Sequence, residues 1–237
     1  MTDTTSVLLM TAASIGFVHT VIGVDHSLPF VLIGRSRGWS AGKLMRVTFA
    51  CGLAHVLSSV AIGAIGVGLG VAADRLEWLE SARGNLAAWL LIGFGLTYAV
   101  WGLYRSRRRA RHEHLHRHGD GTVHTHEHHH EGAHTHMHDS PGVQAATVTM
   151  LFVIFLLGPC EALIPVLMVP AVSHSWLVVA SVVAVFGTTT VVTMMALVLL
   201  GHYGLRFRRS ALLERHMTTV AGLTIAVSGL AIQLLDI

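Results

Sequence analysis

The sequence predicts an all-α polytopic membrane protein with six transmembrane helices. Of its 237 residues, 52% are hydrophobic and only 12% are charged, whereas soluble domains carry about 25% charged residues. The apolar residues form long runs, and a helix needs roughly 20 of them to span a bilayer. Six segments are long enough: 7–33, 44–70, 86–104, 145–169, 176–200 and 212–235.

The positions of the basic residues predict how these helices are oriented. If the chain crosses six times, fourteen of the 16 Lys and Arg residues, Arg37 among them, lie on one side of the membrane. Only Arg75 and Arg83 fall on the other side, in a connection that also contains Glu80. Because basic loops mark the cytoplasmic side, we expect a bacterial-type inner (cytoplasmic) membrane protein with both termini outside. The basic charge thus indicates topology, and no nucleic-acid partner is expected.

The chain divides into two three-helix halves, 1–104 and 145–237, which are joined by a polar segment, 105–144. The sequence G-V-D-H-S-L-P-F-V-L begins at Gly23, and the similar G-P-C-E-A-L-I-P-V-L begins at Gly158. Since each half contains three spans, repeats of this kind are inverted in the membrane. Inverted repeats are a common transporter architecture whose binding site lies near the midplane, where the halves meet.

The joining segment is rich in histidine, mostly in H-x-H alternation, and we predict that it is a disordered cytoplasmic loop. Imidazole binds zinc, copper, nickel and cobalt well, so the segment is interpreted as a metal buffer or sensor. A solvated linker without metal is the alternative. The candidate residues are His112, His114, His116, His118, His124, His126, His128, His129, His130, His134, His136 and His138.

A second group of candidate metal ligands lies inside the predicted spans. Ionisable side chains are costly in a bilayer and indicate functional sites. Within the apolar runs they are restricted to the first, second and fourth spans, and counting from the membrane edges brings most of them near mid-depth. The candidates are His19, Asp25, His26, His55, Cys160 and Glu161.

The spacing of His19 and His26 restricts how they could share an ion. Seven residues of intact helix separate them by about 10 Å, which is too far for one ion bound at about 2.1 Å by each nitrogen. Either the helix is broken near Gly23, or the two histidines serve successive positions along a path. Asp25 is either a ligand or a partner that orients a histidine, and the cysteines are alternatively small apolar packing residues.

At these residues the sequence resembles the nickel/cobalt transporter superfamily. That superfamily includes nickel-cobalt permeases, efflux relatives with a histidine-rich loop, and urease-accessory-like and sulfite-exporter-like membrane proteins. The stretch from His19 through Asp25 and His26, H-x5-D-H, is similar to the permease signature H-x4-D-H with one residue more. Pro159–Cys160 is similar to a motif of the efflux and thiol-conducting relatives, and the histidine loop looks like that of the efflux branch.

The expected function is transmembrane transport of a divalent transition metal. Nickel or cobalt is favoured over zinc or iron, and export is favoured over uptake. The metal is the substrate, and neither a prosthetic group nor an enzymatic activity is expected. The alternatives are a metal-delivery accessory protein, a sulfite or anion exporter, and an intramembrane thiol-redox carrier that uses Cys51 and Cys160. The expected partners are the lipid bilayer and the metal ion, and a homo-oligomer is left open.

Overall fold

The computed structural model describes residues 3–68, 70, 73–109, 113–117, 123–127, 141–158, 160, 162–166, 175–204 and 211–235. Apart from one short hairpin, the regular structure over these residues is helical. The helices are α1 (Asp3–Ile22), α2 (Leu28–Ser36), α3 (Ala41–Gly68), α4 (Ala73–Arg109), α5 (Pro141–Leu157), α6 (Trp176–Gly204) and α7 (Ala211–Leu235). A 3-10 turn, Val24–His26, joins α1 to α2.

Five of these helices are long and apolar enough to cross a membrane, by their segments Thr4–Ile22, Ala41–Gly66, Arg75–Arg107, Trp176–Gly204 and His216–Leu234. Large apolar side chains, such as Leu57, Trp89 and Leu200, lie exposed on their outer surfaces, as expected where lipid is the solvent. The prediction of a helical multi-pass membrane protein is confirmed at this level.

The predicted spans differ from the helices at three places. The first, 7–33, is interrupted at Gly23, and the fourth, 145–169, contains a helix that ends at Leu157. The helix of the third predicted span, α4, begins at Ala73, well before that span was expected to start at residue 86. Glu80 and Arg83 therefore belong to α4 and not to a loop, because helix formation continues through polar residues that find buried partners.

The helices pack closely where small residues face each other. The most extensive contact between two helices is that of α4 with α7. A Cβ added at Gly95 or Gly222 would overlap the backbone of the opposite helix. Small residues permit this approach in membranes, where packing replaces the hydrophobic effect. In addition, α1 packs on α6, α3 packs on both α5 and α6, and α2 contacts α6 and α7.

Part of the histidine-rich segment forms an antiparallel hairpin of β1 (Glu113–Arg117) and β2 (Val123–Glu127), with His114 opposite His126 and His116 opposite His124. The segment was expected to be disordered without a ligand, whereas these ten residues have strand conformation here. The physical reason is that H-x-H alternation has the two-residue period of a strand, which places the four histidines on one face. The other candidates of this segment lie outside the described residues: His112, His118, His128, His129, His130, His134, His136 and His138.

Candidate metal centre

The end of α1 at Gly23 is the local feature that builds the site. The helix closes with a hydrogen bond of 2.9 Å from the Gly23 N–H to the His19 carbonyl, and the His26 N–H then donates to the Gly23 carbonyl at 3.0 Å. A Cβ at Gly23 would overlap the His26 imidazole, so a side chain there would displace the ring from its place beside His19. Pro29 lies in the first turn of α2, where its missing N–H costs nothing.

The turn brings His26 beside two histidines of the membrane helices. One ring nitrogen each from His19, His26 and His55 lies within 4.8 Å of the corresponding atoms of the other two. The ring centroids of His19 and His26 are 4.8 Å apart, and those of His26 and His55 are 5.1 Å apart. Of the two sequence alternatives, the broken helix is therefore the one observed, and it joins residues from α1, the 3-10 turn and the middle of α3.

The hydrogen bonds of two of these rings determine which nitrogen is available. The Nδ1 atom of His26 lies 3.0 Å from Oδ1 of Asp25 and 3.2 Å from the Gly23 carbonyl. The Nδ1 atom of His55 lies 3.3 Å from the Phe155 carbonyl. Because these neighbours are acceptors, we assign the proton to Nδ1, which leaves the Nε2 lone pair free.

All three Nε2 atoms are buried, and none has a hydrogen-bond partner within the described part of the chain. An unpaired buried polar group costs about 1–3 kcal/mol, so three at one place indicate that a ligand belongs there. Two nitrogens that each bind a metal at about 2.1 Å lie at most about 4.2 Å apart. One ring nitrogen from each of the three histidines lies within 4.8 Å of the others, so only small side-chain movements would be required to hold an ion.

A cavity of about 410 Å³ adjoins the three histidines. Asp25 lines it together with the histidines, and most of the remaining lining is apolar. On α4 the wall consists largely of small residues, among them Gly84, Ala87 and Ala88. An ion held by three imidazoles would have its remaining coordination positions available, and the cavity provides room for water or another ligand there.

The other predicted ligands have different surroundings. Asp25 binds Nδ1 of His26 and lies outside the group of three nitrogens, as expected of a residue that orients a ligand. Cys160 is fully buried in an apolar cluster with Ala12 and Phe186. Glu161 lies outside the described residues. Cys51 is a buried free thiol in a different apolar cluster.

Two arginines that were expected in loops, Arg37 and Arg83, instead bind side chains and backbone of the packed helices. Arg37 donates to Tyr98 of α4 and Thr147 of α5, and Arg83 pairs with Glu80, which is only 1% exposed. The available signal was the three-residue spacing of Glu80 and Arg83, which places opposite charges together on a helix. In the sequence, Arg83 was interpreted only as a loop charge that indicates topology.

We predict that Gly23→Ala weakens metal binding, because the added methyl group displaces the His26 ring. The matched control is Gly42→Ala, since a Cβ at Gly42 meets no atom within 4 Å. Nickel affinity is measured by isothermal titration calorimetry in chains whose loop histidines are all changed to serine, so that only the intramembrane site reports. Equal affinities in the two variants would contradict the role of this turn.

We predict that Asp25→Asn lowers metal affinity about 10–100-fold, which is typical when the hydrogen-bond partner of a histidine ligand is removed. Asparagine can accept the same hydrogen bond but lacks the charge. In the same background, His26→Ala should remove measurable binding. Complete loss of binding in Asp25→Asn would instead identify Asp25 as a ligand.

Comparisons with protein families, with curated proteins and with solved structures find no match for this chain. The description of the site therefore depends on the chain's own contacts. The main feature of the site is that His19, His26 and His55 come together from separate elements, each with a buried Nε2 atom that has no partner among the described residues. A group of three such histidines within a helical membrane protein is a candidate centre for a transition-metal ion.

Proposed function

We propose that the protein transports a divalent transition metal across the membrane, with nickel or cobalt as the favoured substrate. The observation that carries the proposal is the group of three buried Nε2 atoms of His19, His26 and His55. Neutral imidazoles suit nickel, zinc, copper and iron, so the preference for nickel or cobalt comes from the resemblance in the H-x5-D-H stretch. The metal is cargo, which agrees with a site of few ligands beside an open cavity.

Broken helices support transport, because unwound backbone in a membrane protein is tolerated where it lines a cavity or a binding site. Gly23 and Gly158 both line the cavity, and each directly follows the end of a helix, α1 at Ile22 and α5 at Leu157. These two glycines are also the aligned positions of the proposed repeat. We infer that α5 belongs to the remaining membrane crossing, the one predicted at 145–169, so that the chain crosses the membrane six times in all.

The pairs of packed helices also support an inverted repeat. Exchanging the halves replaces α1 by α5, α3 by α6 and α4 by α7. This exchange converts the contact between α1 and α6 into the contact between α5 and α3, and both exist. The pairs α4–α7 and α3–α6 are converted into themselves. In this architecture one half rocks against the other around the site and exposes it alternately to each side.

The remaining alternatives receive less support. A thiol-redox carrier needs two thiols that meet, whereas Cys51 and Cys160 lie in separate apolar clusters. An anion exporter leaves three unpartnered imidazole nitrogens without a role. A metal-delivery accessory protein fits the same site, and it differs in binding metal without net flux.

The cavity favours a second candidate function, metal-dependent hydrolysis of an amphiphilic substrate. Three protein ligands with an open coordination position are the arrangement of catalytic zinc sites, which activate a bound water. The volume of about 410 Å³ exceeds the needs of a bare ion. The two functions differ in the fate of the metal, because a hydrolase retains its ion while a transporter releases it on the far side.

We predict that purified protein in vesicles carries nickel across the bilayer, and that His26→Ala and His55→Ala reduce the flux to that of protein-free vesicles. The expected cause is the loss of one of three ligands. His216→Ala is the matched control, since this histidine lies outside the group of three. Flux is followed with a metal-quenched dye inside the vesicles. Unchanged flux in both site variants would refute the transport proposal, and tight binding without flux would favour an accessory protein or an enzyme.

We predict that cells expressing the protein accumulate less nickel than cells expressing the His55→Ala variant. Export is expected because the histidine-rich segment, placed in the cytoplasm by the charge pattern, can collect metal on that side. Cellular nickel is measured by mass spectrometry, and removal of residues 112–138 should reduce the difference. Higher accumulation with the unaltered protein would mean uptake.

A further inference from the structure

A partly buried arginine, Arg83, links α4 to the broken end of α5. The Arg83 guanidinium pairs with Glu80 one turn earlier on α4. It also donates to the Leu156 carbonyl at 2.8 Å and to the Gly158 carbonyl at 3.4 Å, and to the Ser58 hydroxyl of α3 at 2.8 Å. These carbonyls lie at and after the end of α5, where a helix has no further backbone donors to offer. One side chain therefore holds three helices together.

Glu80 completes this network from within the protein. Its Oε2 atom accepts a hydrogen bond from the Ser59 hydroxyl at 3.0 Å and another from the Cys160 backbone N–H at 3.1 Å. The side chain is almost fully buried, and its charge is balanced by Arg83. Glu80 and Arg83 thus bind the backbone on both sides of the break after α5.

The network adjoins residues that line the cavity beside the three histidines. Ser58 and Ser59 follow His55 by three and four residues, about one helical turn or 5 Å further along α3. Gly84, the neighbour of Arg83, lines the cavity, and so does Gly158, whose carbonyl binds Arg83. The guanidinium does not itself line the cavity, but it links the α4 and α5 walls on the side toward the α3–α4 connection.

Stability alone does not explain a buried ion pair at this position. Such pairs contribute little net stability, because desolvation offsets their attraction, and apolar replacements are often tolerated. Arginine also stays charged under all relevant conditions. Because Glu80 balances the charge of Arg83, the pair would obstruct an ion by the volume of the two side chains between α4 and α5.

We propose that Glu80 and Arg83 form the gate of the metal path on the side of the α3–α4 connection. With the network intact, this end of the cavity is closed. When the broken end of α5 moves away from α4, Arg83 releases the Leu156 and Gly158 carbonyls, and the three-histidine site becomes accessible from that side. The inference rests on the proposed function, and it adds the pair of residues that regulates access to the same site.

A second arginine network provides an internal comparison. Arg37, which follows α2, donates from Nε to the Tyr98 hydroxyl at 3.0 Å and from Nη2 to the Thr147 hydroxyl at 2.7 Å. It joins α4 to the beginning of α5, at the opposite end of these helices from Arg83. Loss of this network should open the other side of the site or loosen the helices without opening the Arg83 side.

The native Cys160 is a reporter of the gate, because it is fully buried and its N–H binds Glu80. We expect a membrane-impermeant methanethiosulfonate reagent to label Cys160 in Arg83→Gln at least about tenfold faster than in the unaltered protein, since thiol reactivity follows exposure. The reagent is added separately to intact cells and to inside-out vesicles. Cys160 labelling should be faster when the reagent is added on the side of the α3–α4 connection, which the charge pattern predicts to be outside. Arg37→Gln should not show faster labelling from that side. Cys160→Ser corrects for labelling of Cys51.

Three results would overturn the gate: labelling of Arg83→Gln within about twofold of the unaltered protein, acceleration only from the opposite face, or equal acceleration in Arg37→Gln. Glu80→Gln, which is nearly isosteric, tests the same end should Arg83→Gln not fold, and it should also accelerate labelling. Folded variants should keep the nickel affinity of the unaltered protein. Labelling needs no transport, so absence of nickel flux refutes the proposed function without deciding the gate.

Discussion

Gly23 ends the first helix and allows the chain to turn within three residues, which brings His26 next to His19 and opposite His55. The hydrogen bond of 3.0 Å between Asp25 and His26 then fixes the orientation of the ring inside this turn. Without the break, the two histidines of the first span would lie about 10 Å apart, and no shared ion would be feasible. The approach of His26 to His19 and His55 therefore depends on this break, and Gly23 leaves the room that the His26 ring occupies.

The break after α5 satisfies its freed backbone groups in a different way. Backbone groups freed by a break must find partners inside a membrane, where water is scarce. At Gly23 the chain provides them locally, through the His26 N–H. After Leu157 they come from a distance, because Arg83 binds the carbonyls and Glu80 binds the Cys160 N–H. A break held by side chains of another helix can be released by moving that helix, whereas a break held by its own turn is rigid. The rigid one carries the ligands, and the releasable one closes the cavity.

The sequence predicted the parts of this arrangement that depend on local rules. Apolar run length identified five membrane-spanning helices. The seven-residue spacing of His19 and His26, together with Gly23, offered the break as one of two alternatives. His55 was found because an imidazole is rare in an apolar run. The parts that depend on tertiary contacts were not predictable. Nothing local shows that Arg37 is buried or that Arg83 binds the backbone of α5, because these partners are distant in sequence. Pro159 and Pro165, by contrast, did indicate a possible break in the fourth apolar run. In the histidine-rich segment, composition predicted disorder while the alternation favoured strands, and the alternation prevailed at the hairpin.

The central claim is that three imidazoles inside the membrane hold the transported ion. X-ray absorption spectroscopy of the nickel-loaded protein, with the loop histidines changed to serine, tests it most directly. The account predicts one tightly bound nickel with the multiple-scattering pattern of three imidazole ligands, and loss of this signal in His55→Ala. A sulfur ligand from Cys160, or nickel coordinated only by water and carboxylate oxygens, would contradict this claim.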